Sequence, residues 1–200
     1  MSAERALERL AGELRGDEVI APHVRDPAES PYLGRLVAAG PRASAAPDEY
    51  GLLFEAIREG FLLHYSEPRL IAEADPDLRL LAGDYLYALG LERLAERGDV
   101  TAVSELGDLI SLSAQLQAGG GEALDRTTSA LWLAAAVAVG AGGGSGHEAA
   151  KRSLQEGGAQ GPQELMAAAA SAADGAGMRD ALAEAADSIG FAAEHLSYRG

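Results

Sequence analysis

Leu80-Leu81-Ala82-Gly83-Asp84-Tyr85-Leu86 sits inside an apolar pattern of helical spacing. Asp75-Pro76-Asp77 opens that helix: Asp75 is placed to cap it, Pro76 lacks the N–H that a first-turn residue would leave unpaired, and Asp77 complements the dipole. Leu78, Leu81, Tyr85, Leu89 and Leu94 recur on what the spacing predicts to be its buried face. Gly98-Asp99 closes it and caps a further helix through Val103, Leu106, Ile110 and Leu116.

Outward from this stretch the same punctuation repeats. Upstream, Pro47-Asp48-Glu49 is a helix start, and Leu53, Ile57, Phe61 and His64 follow at helical intervals, with an end near Ser66-Glu67-Pro68. Before it, Pro22, Pro27, Pro31, Pro41 and Pro47 forbid a long regular element and leave room for a short helix over Tyr32 to Ala39. Residues 3 to 15 form an amphipathic helix with Ala6, Leu7, Leu10 and Leu14 on one side. Downstream, Ala118 to Gly121 reads as a hinge, and Glu122 to Val139 as the most apolar helix of the chain. Gly140 to Gly146 reads as a linker, His147 to Gln155 as a polar helix, and Gly161-Pro162 and Met178 as starts of helices to Ala173 and Tyr198. The expectation is an all-α helical bundle of seven or eight helices, divided into a segment 1–46 carrying the N-terminal helix and the Pro/Ala-rich stretch, and a bundle domain 47–200.

Composition agrees. Of 200 residues 48% are apolar and only 5% aromatic, so closely packed alanine-rich helices are favoured over sheets. The net charge of -15 argues against nucleic acid and anionic membrane surfaces, because both demand lysine and arginine facing phosphate. Cysteine is absent, which removes disulfides, thiolate nucleophiles and cysteine-based zinc sites and fits a cytoplasmic location. The apolar run Ala130 to Val139 is about half of the roughly 20 residues a membrane span needs, so no membrane span is expected.

The Leu80 to Leu86 segment, followed by Leu91-Glu92-Arg93-Leu94-Ala95-Glu96-Arg97-Gly98-Asp99, resembles the Leu-Ala-Gly-Asp-x-Leu helix of trans-polyprenyl diphosphate synthases. The resemblance spans about Tyr50 to Gln160 and implies a truncated isoprenoid-synthase-like bundle. In that family an apolar-His-Asp-Asp-x-x-Asp segment precedes the Gly-Asp helix and holds magnesium. Here Phe61-Leu62-Leu63-His64-Tyr65-Ser66-Glu67 keeps the histidine, with Tyr65 and Ser66 in place of the paired aspartates. Asp125-Arg126-Thr127-Thr128-Ser129-Ala130-Leu131-Trp132 matches a second family segment, in which Thr127 replaces a lysine that contacts diphosphate. The lead-in Ala150 to Gly157 is followed by Gly158-Ala159-Gln160-Gly161-Pro162, with no second pair of aspartates. Gly40-Pro41-Arg42 echoes a diphosphate-binding segment, which makes Arg42 the one substrate-binding candidate. By the same resemblance Asp84 belongs to the packed interior, with a hydrogen bond or an arginine partner.

Ionising an allylic diphosphate develops negative charge that the family offsets with carboxylate-held cations, and removing one electrostatic stabiliser typically costs about 3 to 4 kcal/mol of barrier lowering. The resemblance therefore implies a silent relative, with no catalytic residue, no metal ligand and no cofactor. It would act like the small subunit of heteromeric synthases, as the partner of an active prenyl diphosphate synthase or as a homo-oligomer. Two alternatives stand beside it. One is a helical scaffold without an isoprenoid ligand. The other is a minimal magnesium-dependent prenyltransferase using Glu73, Asp75 and Asp77 with Arg42 or Arg69. His64, Tyr85, Tyr87 and Trp132 read first as packing residues. His147-Glu148-Ala149-Ala150-Lys151 begins like a zinc-protease motif but carries lysine at the second histidine position.

Overall fold

The computed structural model describes residues 3–121, 124–158 and 160–191. Among them run nine α-helices: α1 Ala6–Leu14, α2 Tyr32–Ala38, α3 Pro47–Tyr65, α4 Pro76–Glu96, α5 Val100–Gly119, α6 Leu124–Ala141, α7 Gly144–Gln155, α8 Gly161–Gly175 and α9 Arg179–Ser188. No strand is present among the described residues; a single antiparallel bridge joins Val24 to Ile71. The all-α bundle expected from the punctuation is what forms. No helix among the described residues is long and apolar enough to cross a membrane.

The caps act locally as their residue types dictate. Asp75 accepts a hydrogen bond from the Leu78 N–H at 2.8 Å, and Asp99 accepts one from Ala102 at 3.0 Å, so each helix begins where a carboxylate satisfies a first-turn donor. Two glycine runs expected as linkers are shorter breaks than anticipated. α5 continues to Gly119, while Gly140 lies within α6 and Gly144 opens α7. A Cβ on Gly140 would stand 2.8 Å from the Val37 carbonyl oxygen, so its absence lets α6 and α2 touch backbone to backbone. The C-terminal helix is described to Ser188; Ala193, Leu196 and Tyr198, expected to continue it, lie outside the described residues.

α6 is apolar on every side, and every residue from Ala130 to Gly140 is buried, so it runs through the middle of the bundle. α2, α5 and α8 pack around it, while α3 packs against α1, α2 and α4. A second apolar cluster joins Leu7, Leu10 and Leu14 of α1 to Ala56 and Leu63 of α3 and to Ala82 and Leu86 of α4. The N-terminal segment is thereby packed on the α3–α4 pair, with Leu33, Leu36 and Val37 of α2 in the main core.

α4 keeps the expected face only in part: Leu94 is buried and Leu78 and Leu89 pack against the core. Ala82, Gly83, Leu86, Gly90 and Leu94 are its buried residues, whereas Leu81 is 62% exposed, with Tyr85 and Leu80 also outside. The cause is the α3–α4 crossing. A Cβ on Gly60 would lie 2.9 Å from the Gly83 carbonyl oxygen, and one on Gly83 would meet the His64 ring at 2.5 Å. The smallest residues face the neighbour, the axes draw together, and the larger Leu81 and Tyr85 are turned to solvent. Asp84 turns out with them, its side chain 70% exposed, and is not part of the interior. Gly60→Ala should therefore lower stability by about 1–3 kcal/mol through overpacking, as read from urea unfolding, while Ala88→Gly on the exposed side should cost about 1 kcal/mol or less.

Candidate functional site

The α3 helix carries Glu55, Arg58 and Glu59 among apolar neighbours, and both glutamates are fully buried. Buried carboxylates require partners. The 66–72 loop supplies one: Val24 pairs with Ile71, and Arg25 donates to the carbonyls of Pro68 and Arg69, which fixes the loop under α3. Arg69 then donates to Glu55 at 2.8 Å and to Glu59 at 3.0 Å. The remaining carboxylate oxygens accept from backbone, Glu55 from the Gly34 N–H and Glu59 from the Leu70 N–H, each at 2.7 Å. Burial pulls the Arg69 guanidinium down, but the two glutamates outweigh it and its pKa stands above the ordinary value.

Arg58 lies one turn away in a different environment. Its guanidinium sits 4.7 Å from the centre of the Trp132 ring and 5.1 Å from that of Phe61, and Nη1 is buried with no acceptor. Burial, followed by the nearby Arg69 charge, brings its pKa down to about 10. The rings continue from there: Phe61 meets Tyr65 at 5.3 Å, Tyr65 meets His64 at 5.7 Å, and His64 stacks on Tyr87 at 5.2 Å. His64 Nε2 is 3.3 Å from an Asp84 carboxylate oxygen but not aligned to hydrogen-bond with it. Burial, then Tyr65 and Asp84, raise the Tyr87 phenol above its ordinary value, so it keeps its proton.

A third group joins α5 to α7. Glu105, itself buried, accepts from buried Lys151 at 2.7 Å and shares a 2.7 Å hydrogen bond with His147 Nε2. Lys151 also donates to Asp108 at 2.7 Å and lies 3.0 Å from Glu148. Ligand atoms of Glu105, His147 and Glu148 come within 4.8 Å of one another, the only such grouping of three potential metal ligands among the described residues. The single lysine of the chain already places an ammonium among these carboxylates, so the fragment His147-Glu148-x-x-Lys151 is an ion cluster with its cation built in. Burial pushes Glu105 up and Lys151 down. The hydrogen bonds outweigh both effects: those from His147 and Lys151 hold Glu105 below its usual range, and those to Asp108 and Glu105 hold Lys151 above its own.

The residues singled out from sequence fall elsewhere. Arg42 donates to Asp99 at 2.9 Å, and Tyr50 donates to the other oxygen of the same carboxylate at 2.6 Å, so Arg42 fastens the turn before α3 to the start of α5. Glu73, Asp75 and Asp77 are exposed, and Asp75 is the α4 cap. Thr127 is buried on α6, near the orphaned hydroxyl of Thr128. The Glu55–Glu59–Arg69 and Glu105–His147–Lys151 groups escaped the periodicity reading. Their visible signal is a charged residue on an otherwise apolar helix stripe, as in Glu55-Ala56-Ile57-Arg58-Glu59, and the partner of each lies far along the chain. Comparison with protein-family models, curated proteins and solved structures finds no match.

Removing Arg69 leaves two buried carboxylates without a cation. Arg69→Met should cost about 3–5 kcal/mol of unfolding free energy, and adding Glu55→Gln with Glu59→Gln should recover part of that loss. Glu105 is held below its ordinary 4.5, so its contribution to stability is present above that value and is lost as pH falls through the lower, folded-state pKa. Lys151 is held above its ordinary 10.5, so its contribution is full below that value and is lost only at still more alkaline pH. Urea titrations on the acid side should accordingly show a shallower fall in stability with pH for Glu105→Gln than for the parent.

Proposed function

We propose that this chain is a catalytically silent helical protein that works by binding another protein, and that an active prenyl diphosphate synthase subunit is the partner. The observation that carries this reading is that the buried carboxylates are closed by cations of the chain itself. Arg69 occupies Glu55 and Glu59, and Lys151 occupies Glu105 and Asp108, so neither group is left open to magnesium and a departing diphosphate. Between α3 and α6, where a chain-length cavity would have to run, the Trp132 ring meets that of Phe54 at 5.7 Å and that of Phe61 at 5.2 Å. Leu81 points outward and lines no interior. The identity of the partner rests on the Leu80 to Asp99 and Asp125 to Trp132 resemblance.

The outer side of α4 is the surface that fits a partner. Leu80, Leu81 and Tyr85 are exposed there. Asp77, Asp84, Glu92 and Glu96 share that side, while Arg79 turns in to carbonyls at the end of α3 and Arg93 to Glu13 and Glu49. Two copies of this face would set acid against acid, which disfavours a self-associating scaffold. A minimal prenyltransferase is disfavoured by the same closure of charges, since Arg42 and Arg69 are both engaged by carboxylates.

Co-expression with a synthase that carries intact Asp-Asp-x-x-Asp motifs should yield a complex whose product length differs from that of the synthase alone. Leu81→Asp combined with Tyr85→Asp should weaken the complex by about tenfold or more while shifting folding stability by only about 0.5 kcal/mol per site, because both side chains are exposed. Magnesium-dependent release of diphosphate from an allylic substrate by the isolated chain would overturn the proposal, as would failure to bind any such synthase.

A further inference from the structure

The helical repeat sets Leu81, Ala88 and Ala95 in one line along α4, with Leu80 and Tyr85 to either side of it, and all five are exposed. Asp77, Asp84, Glu92 and Glu96 are exposed on the same arc, which is roughly 28 Å long from its first acid to its last. The arginines of α4 and its C-cap lie off that arc. Arg79 donates to the carbonyls of Leu63 and Ser66, Arg93 pairs with Glu13 and Glu49, and Arg97 lies over the Tyr50 ring at 5.6 Å. His64, 3.3 Å from Asp84, is largely buried. The face therefore presents apolar side chains and charge of one sign.

That pairing limits what covers it. A second copy of the chain would bring acids against acids, and nucleic acid or an anionic bilayer would be repelled. An extended peptide gains little, because the N–H and C=O groups of α4 along this arc are spent inside the helix and none is left to pair with a strand. A second helix fits. Leu81, Ala88 and Ala95 recur at the seven-residue interval of helix-pair seams, and the two alanines leave a shallow track for a neighbour lying nearly parallel. Its apolar side would cover Leu81 and Tyr85, and cations on its flanks would meet the four acids. We infer that the outer face of α4 docks an amphipathic helix of another protein, apolar along one seam and flanked by lysine or arginine. The inference rests on the binding-protein reading above for the place of contact, and not on the partner being a synthase.

The probe is a fluorescently labelled peptide of about three heptads, with leucine at the a and d positions and lysine at e and g, where like charges keep it from pairing with itself. Anisotropy titration with the full chain should show saturable binding. The same peptide with glutamate for lysine, or with its residues shuffled, should bind at least about tenfold more weakly. Raising salt from about 50 to about 500 mM should weaken the lysine peptide by about tenfold. Asp84→Arg combined with Glu92→Arg should turn the preference toward the glutamate peptide. Glu156→Arg combined with Asp187→Arg makes the same change in net charge at exposed sites on the ends of α7 and α9, and should alter binding by no more than about twofold, with folding of both variants checked by circular dichroism. The comparison of the three peptides on the parent chain needs no variant. No saturable binding, equal binding of the glutamate or shuffled peptide, equal effects of the two double variants, or a dimer of the chain built on this face would each overturn the inference. A synthase complex indifferent to salt and to Asp84→Arg with Glu92→Arg would overturn it and leave the partner reading standing, whereas selective binding of the lysine peptide without any synthase complex would uphold it and remove the synthase.

Discussion

The ion triad of Arg69 with Glu55 and Glu59 governs the arrangement of this bundle. Two carboxylates on one helix, both removed from water, are tolerable only because a single guanidinium and two backbone N–H groups reach all four of their oxygens. That requirement pins three distant pieces of chain to α3 at once: α2 through Gly34, the 66–72 loop through Arg69 and Leu70, and residues 23–25 through the loop they clamp. An apolar replacement of similar shape would serve stability as well. What the ions add is direction, since each oxygen accepts from one donor in one geometry.

The same principle explains why so acidic a chain offers so few free carboxylates in its interior. Buried acids sit at the ends of arginine or lysine side chains, and the acids left over lie on exposed surfaces such as the outer side of α4. A cation-dependent reaction requires the opposite arrangement, acids gathered in a pocket and left unneutralised until a metal arrives. Exposed leucine and tyrosine beside exposed acids on α4 suit recognition of a surface.

Helix boundaries were legible from residue types, because a cap or a break is a local event. Asp75-Pro76, Asp99 and Pro47 each start a helix within a residue or so of where they stand. Burial was less legible. Of the expected stripe on α4, Leu94 is buried and Leu78 and Leu89 pack against the core, but Leu81 and Tyr85 face solvent and the closest packing falls at Gly83 and Gly90, since close approach of two backbones rewards the absence of a side chain and periodicity counts only its presence. Arg58 shows the same limit. Phe61 and Trp132 announce themselves as core, while the guanidinium over their rings does not.

By itself the sequence determined that the fold is an all-α bundle, where most helices begin and end, and that paired aspartates are missing, because propensity, capping and composition act within a turn or two of chain. Only the tertiary structure decided which side of α4 faces inward and that Glu55, Glu59 and Glu105 are neutralised from within. Those outcomes depend on which residues meet across separations of 10 to 46 positions, as Arg69 meets Glu59 and Lys151 meets Glu105. A pattern along one helix fixes the directions of its side chains and says nothing about what waits opposite them.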